Sequence, residues 1–324
     1  MYRRSESIVT GVVDGLCKAI DSPFARNYHD VYHGSRFRDL LDHSIDPSDY
    51  RNPQDFRDDY LLLSVLSKAD FLPTGIDTKA AALLKFQAAE VQCRETNVRL
   101  RSLGNSASIY SAYTPWSILR LAALKIGNVL GPVNWDEIST HFGFGPGSTT
   151  QVSRRHGDAY FKFGVVRPHS TFGNLAAAWA AVRSVPRWYQ SVAQLPHDCC
   201  PISSFSKDEE SLFEVVPGNK VTTVPKNAKT DRIIAVEPDM NIYVQLGLGR
   251  VIQSRLRRVG IDLTDQSRNQ RLAKEGSITG NLSTLDLSSA SDTVSYELVR
   301  LLLPADWVNA LEQARSPFRH SPFW

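Results

Sequence analysis

Two short polar segments restrict this chain more than its apolar pattern does. Thr223-Val224-Pro225-Lys226-Asn227-Ala228-Lys229-Thr230-Asp231-Arg232 spaces three cations at three-residue intervals with Asp231 as its only acid. Further on, Thr284-Leu285-Asp286-Leu287-Ser288-Ser289-Ala290-Ser291-Asp292 sets one aspartate before a serine-rich turn and another just after it. Alternation from Asn281 to Leu287 predicts a strand with Asp286 near its carboxyl end. Val294, Leu298 and Leu301 then mark a helix that stops at Pro304. A fold containing both segments needs a stiff basic ladder and a strand–turn–helix that holds a carboxylate open to a ligand.

The chemistry follows from the residue types. Lys226, Lys229 and Arg232, entered through the stiff Pro225, can converge on one polyanion. Arg232 binds phosphate bidentately, while the lysines act as point charges. Preorganised cations of this kind stabilise a triphosphate and its leaving pyrophosphate. Magnesium takes oxygen ligands, usually one or two carboxylates plus the substrate's phosphates, and Asp286 is placed to supply one. Each feature also has a plainer reading. The cations fit a basic surface turn, Asp286 an edge-strand acid, and Asp292 a helix N-cap.

Charge distribution favours the first set of readings. From Lys220 to Glu275 there are eleven Lys/Arg against six Asp/Glu, so the whole net charge of +3 is accounted for by this one block. A basic block beside a candidate metal carboxylate points to a phosphate-bearing ligand. The chain is otherwise of ordinary globular composition, 42% hydrophobic and 22% charged over 324 residues, enough for two or three layers or subdomains. Its best apolar run, Leu175 to Val182, falls far short of the roughly 18 residues of a membrane span. Basic residues at the N-terminus lack the apolar stretch of a secretory signal. Cys17, Cys93, Cys199 and Cys200 form no Cys-x-x-Cys pair, which argues against a zinc knuckle or a disulfide framework and for a reducing cytoplasm.

The first two hundred residues read as mostly helical, with Asp58–Leu66, Ala80–Leu103 and Asn174–Val192 carrying three- and four-residue apolar spacing. Inside the second lies the polar cluster Cys93-Arg94-Glu95-Thr96-Asn97, expected to be a satisfied, partly exposed helix face. Phe142 to Thr149, around Gly145-Pro146-Gly147, reads as a turn whose amides could also hold a phosphate. No Gly-Lys-Ser/Thr follows it, so it is not a P-loop. Leu195–Ser206 reads as a connector. Phe213–Val216 and Val221–Val224, separated by Pro217-Gly218-Asn219-Lys220, predict a hairpin, with Arg232–Val236 as a third strand and a helix from Met240 to Val259.

These residues resemble the replicase catalytic subunit of the small positive-strand RNA bacteriophages, the levivirus type. The resemblance is carried by Val-Pro-Lys-Asn-x-Lys-Thr-Asp-Arg at 224–232, Glu237-Pro238, Gln245-Leu246-Gly247, Gly260-Ile261-Asp262-Leu263, Asp265-Gln266, Asn269-Gln270, Glu275-Gly276-Ser277 and Asp286-Leu287-Ser288-x-Ala290-Ser291-Asp292. The Cys93–Asn97 cluster and the Gly145-Pro146-Gly147 loop look like family features as well. The resemblance implies an α+β right-hand RNA-dependent RNA polymerase. Residues 1–205 would form a helical N-terminal and fingers region, 206–275 fingers with the basic nucleotide-binding ladder, and 276–324 the start of the palm, only its first strand and helix.

It further implies that Lys226, Lys229 and Arg232 grip the nucleotide phosphates, and that Asp286 is the first of the palm's metal aspartates. Asp292 would sense the ribose 2′-hydroxyl. Two Mg2+ ions, an RNA template and product, ribonucleoside triphosphates, and the host elongation factors Tu and Ts are the implied cofactors and partners, in the cytoplasm of a bacterial host. A non-catalytic RNA-binding protein using the same basic block is the rival reading. A reverse transcriptase is disfavoured by the spacing around Asp286.

The chain departs from the family in lacking the Ser-Met-Gly-Asn-Gly segment and the Gly-Asp-Asp hairpin. Its Asp-Asp pair, Asp58-Asp59, sits at a predicted helix start and reads as a complement to the helix dipole. With one metal aspartate, the 324 residues are expected to form an incomplete front half without polymerase activity of their own. The strand bearing Asp286 is expected to show an unpaired, partly apolar edge.

Overall fold

A computed structural model describes residues 2–103, 114–194 and 212–320. The chain divides into two compact units, Met1–Gln87 with Thr223–Ile234, and Ala88–Thr222 with Ala235–Trp324. It is an α+β protein, mostly helical, with two small sheets among the described residues. No helix among the described residues is long and apolar enough to cross a membrane.

In the first unit lie α1 (Tyr2–Ile20), α2 (Pro23–His33), α3 (Phe37–Asp42), α4 (Pro53–Val65) and the start of α5 (Thr78–Leu103). Val9, Val13, Leu16, Cys17 and Ile20 recur at three- and four-residue steps along α1, and that face packs on Ala25, Tyr28 and Val31 of α2. α2 opens on Ser22, whose hydroxyl accepts from the Ala25 N–H, with Pro23 in the first turn. The Ser22 hydroxyl in turn donates to Asp59, which also accepts from Tyr50 Oη at 2.9 Å. Asp59 is therefore not a helix-start acid complementing the dipole. It is buried midway along α4, whose first turn carries Asp55 behind an Asn52 cap.

The second unit holds the rest of α5, then α6 (Pro115–Leu130), α7 (Trp135–Thr140), α8 (Ala159–Phe163), α9 (Leu175–Arg183) and α10 (Pro186–Val192). Pro186 divides the predicted Asn174–Val192 helix in two, since proline removes an amide donor and clashes with the preceding turn. Later come α11 (Asp239–Arg258), α12 (Ser267–Thr279), α13 (Tyr296–Leu302) and α14 (Ala305–Ala314). α11 is the axis of this unit. Met240 and Tyr243 enter a cluster with Ala178, Val182, Trp188 and Phe213. Val244, Leu248 and Val251 enter a second with Leu130, Ile138, Trp307 and Ala310. Gly247 lies where a Cβ would stand 2.5 Å from Phe142 Cδ1 and 2.9 Å from the Ile138 carbonyl, so glycine permits the close crossing of α7.

The strands are β1 (His169–Ser170), β2 (Glu214–Val215), β3 (Gly218–Asn227), β4 (Thr230–Val236) and β5 (Phe318–His320). The hairpin expected at Pro217–Lys220 is not formed. β2 pairs in parallel with β1, His169 opposite Glu214, and Gly218 already belongs to β3. The reversal lies ten residues later, at Ala228-Lys229, between β3 and β4. β5 completes the order β4-β3-β5, with Gly218 opposite Phe318 in parallel. The predicted strand over 281–287 is also absent: the segment has no regular structure. Alternation only permits a strand, because its N–H and C=O groups still need a neighbour to pair with. Among the described residues no strand lies alongside it, so there is no sheet edge there, and Leu285 is instead 90% exposed. The expected connector at 195–206 lies outside the described residues.

Candidate functional site

Lys226, Lys229 and Arg232 sit on one hairpin, at the end of β3, in the turn and on β4, and all three are exposed. The turn is tightly specified. Asn227 Oδ1 accepts from the N–H groups of Lys229 and Thr230, each at 3.0 Å, an Asx-type closure that asparagine is suited to make. Between them Ala228 is buried in the core of the first unit, and its carbonyl accepts from Thr74 Oγ1 at 3.2 Å. The neighbouring Lys229 side chain reaches Asp42 at 3.0 Å in an exposed pair that contributes little stability. Among the described residues, Lys226 and Arg232 have no carboxylate within ion-pair distance.

Asp286 and Asp292 belong to the second unit, and both are exposed. Asp286 has no hydrogen-bond or ion-pair partner among the described residues, which leaves its oxygens free for a ligand. Ser288 to Asp292 forms a turn in which Ser289 has φ +53° and its carbonyl accepts from both the N–H and the hydroxyl of Thr293. A non-glycine residue in that left-handed region costs roughly 1–2 kcal/mol, so the turn needs support from its surroundings.

Support comes from the face of α5 that carries the Cys93–Asn97 cluster. Cys93 Sγ–H donates to the Asp292 carbonyl at 3.3 Å. One turn on, Asn97 Oδ1 accepts from the Glu297 N–H at 2.9 Å. One turn further, Arg101 grips Glu297 Oε1 through two nitrogens at 2.9 and 2.7 Å. Cys93, Asn97 and Arg101 thus form an i, i+4, i+8 stripe that holds the aspartate turn and the start of α13. Burial, then the nearby Glu90 and Asp292, push the Cys93 thiol up, keeping it protonated as a donor. Ser295, the cap residue of α13, makes no capping bond and its hydroxyl has no partner among the described residues. Asn97 supplies that cap from outside the helix. The helix face is satisfied and partly exposed, as expected, and its partners are the aspartate turn and α13, which the sequence hinted at only as a polar stripe at helical spacing.

Asn97→Ala is expected to cost about 1 kcal/mol, the usual worth of a cap, and to speed amide exchange at Glu297 with the Asp292 turn. Hydrogen exchange that leaves Glu297 as protected as in the parent chain would contradict this.

The Gly145-Pro146-Gly147 loop is fixed by residues that sequence reasoning missed. Lys162, buried, donates Nζ–H to the Gly145 carbonyl, and its burial lowers its pKa. Buried Asp239 accepts from the Thr149 hydroxyl and, at 3.3 Å, from the His169 N–H. A loop whose carbonyl is turned onto a buried lysine is built as a structural corner. Glu237 is similarly absorbed, accepting from Asn219 at 2.7 Å, Gln245 at 3.3 Å and Ser316 at 2.5 Å.

The chain thus presents an exposed basic hairpin in one unit and an exposed aspartate turn in the other. Residues 13–320 match the family described as RNA replicase, beta-chain, and the chain belongs to it. It is 39% identical to the RNA-directed RNA polymerase subunit beta of Escherichia virus Qbeta over 275 residues, 85% of this chain and 43% of that protein. With the corresponding subunit of Enterobacteria phage SP the identity is 40% over 81% of this chain and 42% of the relative. The beta chain of Escherichia phage MS2 is 48% identical over 41% of this chain and 25% of its own length. The chain spans about two fifths of the length of the first two relatives.

Proposed function

We propose that this chain serves RNA-directed RNA polymerisation, as the fingers and first palm segment of a right-hand polymerase. The observation that carries this reading is Asp286, an unpaired exposed carboxylate just before a turn whose Asp292 and Glu297 are held at three points by α5, in a chain of the RNA replicase beta-chain family. Asp286 is the metal carboxylate, and its hard oxygen donors fit magnesium. When bound, two such ions activate a 3′-hydroxyl and neutralise the triphosphate. Lys226, Lys229 and Arg232 bind and orient the nucleotide phosphates, and Asp292 recognises the ribose 2′-hydroxyl. RNA template, ribonucleoside triphosphates and, in the bacterial cytoplasm, elongation factors Tu and Ts are the partners of the whole protein. Nucleotidyl transfer requires carboxylates beyond these, since the 324 residues contain no Gly-Asp-Asp.

Magnesium-dependent binding of a fluorescent ribonucleoside triphosphate tests the reading. The parent chain is expected to bind, and Asp286→Ala to weaken binding about tenfold or more, the loss of a charge-assisted metal contact. RNA binding that persists while nucleotide binding is absent or indifferent to Asp286 would favour an RNA-binding protein without chemistry.

A further inference from the structure

We propose that the first unit carries a second, separate metal site, built from Asp14, His29 and His33, that takes a borderline-soft divalent ion of the zinc type. His29 and His33 lie one turn apart on α2 and so share a face, their ring centroids 4.3 Å apart. Asp14 reaches them from α1. Its Oδ1 stands 2.7 Å from His33 Nε2 and 3.4 Å from His29 Nε2. One ligand atom from each of the three side chains lies within 4.8 Å of the other two.

Zinc binds imidazole nitrogen and carboxylate oxygen at about 2.0–2.2 Å, which puts ligand atoms on one ion roughly 3–3.5 Å apart. The Asp14–His29 separation of 3.4 Å lies in that range, and the 2.7 Å Asp14–His33 hydrogen bond would open by a few tenths of an ångström to admit the ion. Two imidazoles select zinc, cobalt or nickel over magnesium and calcium, which take oxygen. The scaffold beneath is fixed: Val13 and Cys17 of α1 pack on Tyr28 and Val31 of α2, and Thr10 and Tyr32 join the helices by a 3.1 Å hydrogen bond. Asp30 Oδ1, 3.8 Å from His29 Nδ1, offers the outer carboxylate that often orients a ligating histidine. The three donors leave the ion a place for water and clamp α1 to α2. Asp286 and the polymerase reading play no part in this site.

Calorimetric titration of the full 324-residue chain with zinc sulfate, in a non-coordinating buffer containing excess magnesium, is the test. One equivalent is expected to bind, with affinity about tenfold or more weaker in His29→Gln, His33→Gln and Asp14→Asn, since loss of a direct ligand should cost at least what loss of an outer-shell partner does. The same titration followed by imidazole 15N NMR of the parent chain is expected to move the ring nitrogens of His29 and His33. It does not depend on any variant folding. Unchanged affinity in the variants, no binding, displacement by magnesium, or shifts confined to other histidines would each overturn the proposal.

Discussion

Trp307→Ala is expected to be the most damaging single substitution in the chain, costing about 3–5 kcal/mol. Trp307 is fully buried, among Leu130, Ile138, Val244, Leu248 and Val251. Its indole N–H donates to the Gly131 carbonyl at 2.8 Å, so alanine leaves both a large cavity and an unpaired carbonyl just past the end of α6. Trp307→Phe keeps most of the apolar volume and loses the hydrogen bond, and should cost about 1–2 kcal/mol. Calorimetric melting of the three proteins orders them. A Trp307→Ala protein that melts within a degree or two of the parent would show that this cluster does not govern stability.

The second large effect is expected at Asp239, and it depends on pH. Asp239→Ala strips the acceptor from the buried Thr149 hydroxyl and only the longer of two acceptors from the His169 N–H, which keeps Gln151 Oε1 at 2.8 Å, and should cost about 1–3 kcal/mol for the one buried group left unsatisfied. Burial raises the Asp239 pKa, outweighing the donors from Thr149 and the His169 N–H that lower it. Between the ordinary carboxylate value and this raised one, the folded chain holds more protons than the unfolded chain. The group's contribution to stability therefore falls as pH rises through that window and is flat above it. Asp239→Asn cannot titrate. Its amide must present the oxygen to His169 and the NH2 to a Thr149 hydroxyl that already accepts from Val152. Its penalty relative to the parent should grow as pH is lowered from 7 toward 4, since only the parent gains from protonation. Melting curves across that range decide the matter, and a penalty that shrinks in acid would refute the assignment.

What could be read from the sequence divides by the range of the interactions involved. α11 was legible within a residue at each end because its periodicity and its neighbour Pro238 are local. The basic residues were legible as a group because Pro225 to Arg232 is one continuous segment. The hairpin was misplaced because Pro217-Gly218-Asn219-Lys220 has good turn chemistry, yet Glu214 and Val215 pair with a strand 45 residues upstream. No local signal announces that partner. The strand at Asp286 failed for the same reason, since a strand is a property of a pair. The support of the aspartate turn was hidden differently. Cys93 and Asp292 are 199 residues apart, and only the helical spacing of the polar residues on α5 hinted that the face had a partner.

The burial of Ala228 has a consequence for the order of events on the ribosome. α1 to α4 are synthesised first, but the core they share is closed by a residue 154 positions after Thr74. At roughly 5–20 residues per second, about ten to thirty seconds separate the two. During that interval the nascent helices lack the hairpin tip that fills their centre, and the loop to be closed is long. A chaperone, or another apolar segment, has that time to occupy the gap. The basic hairpin thus reaches its final position only by completing a core that has been waiting for it.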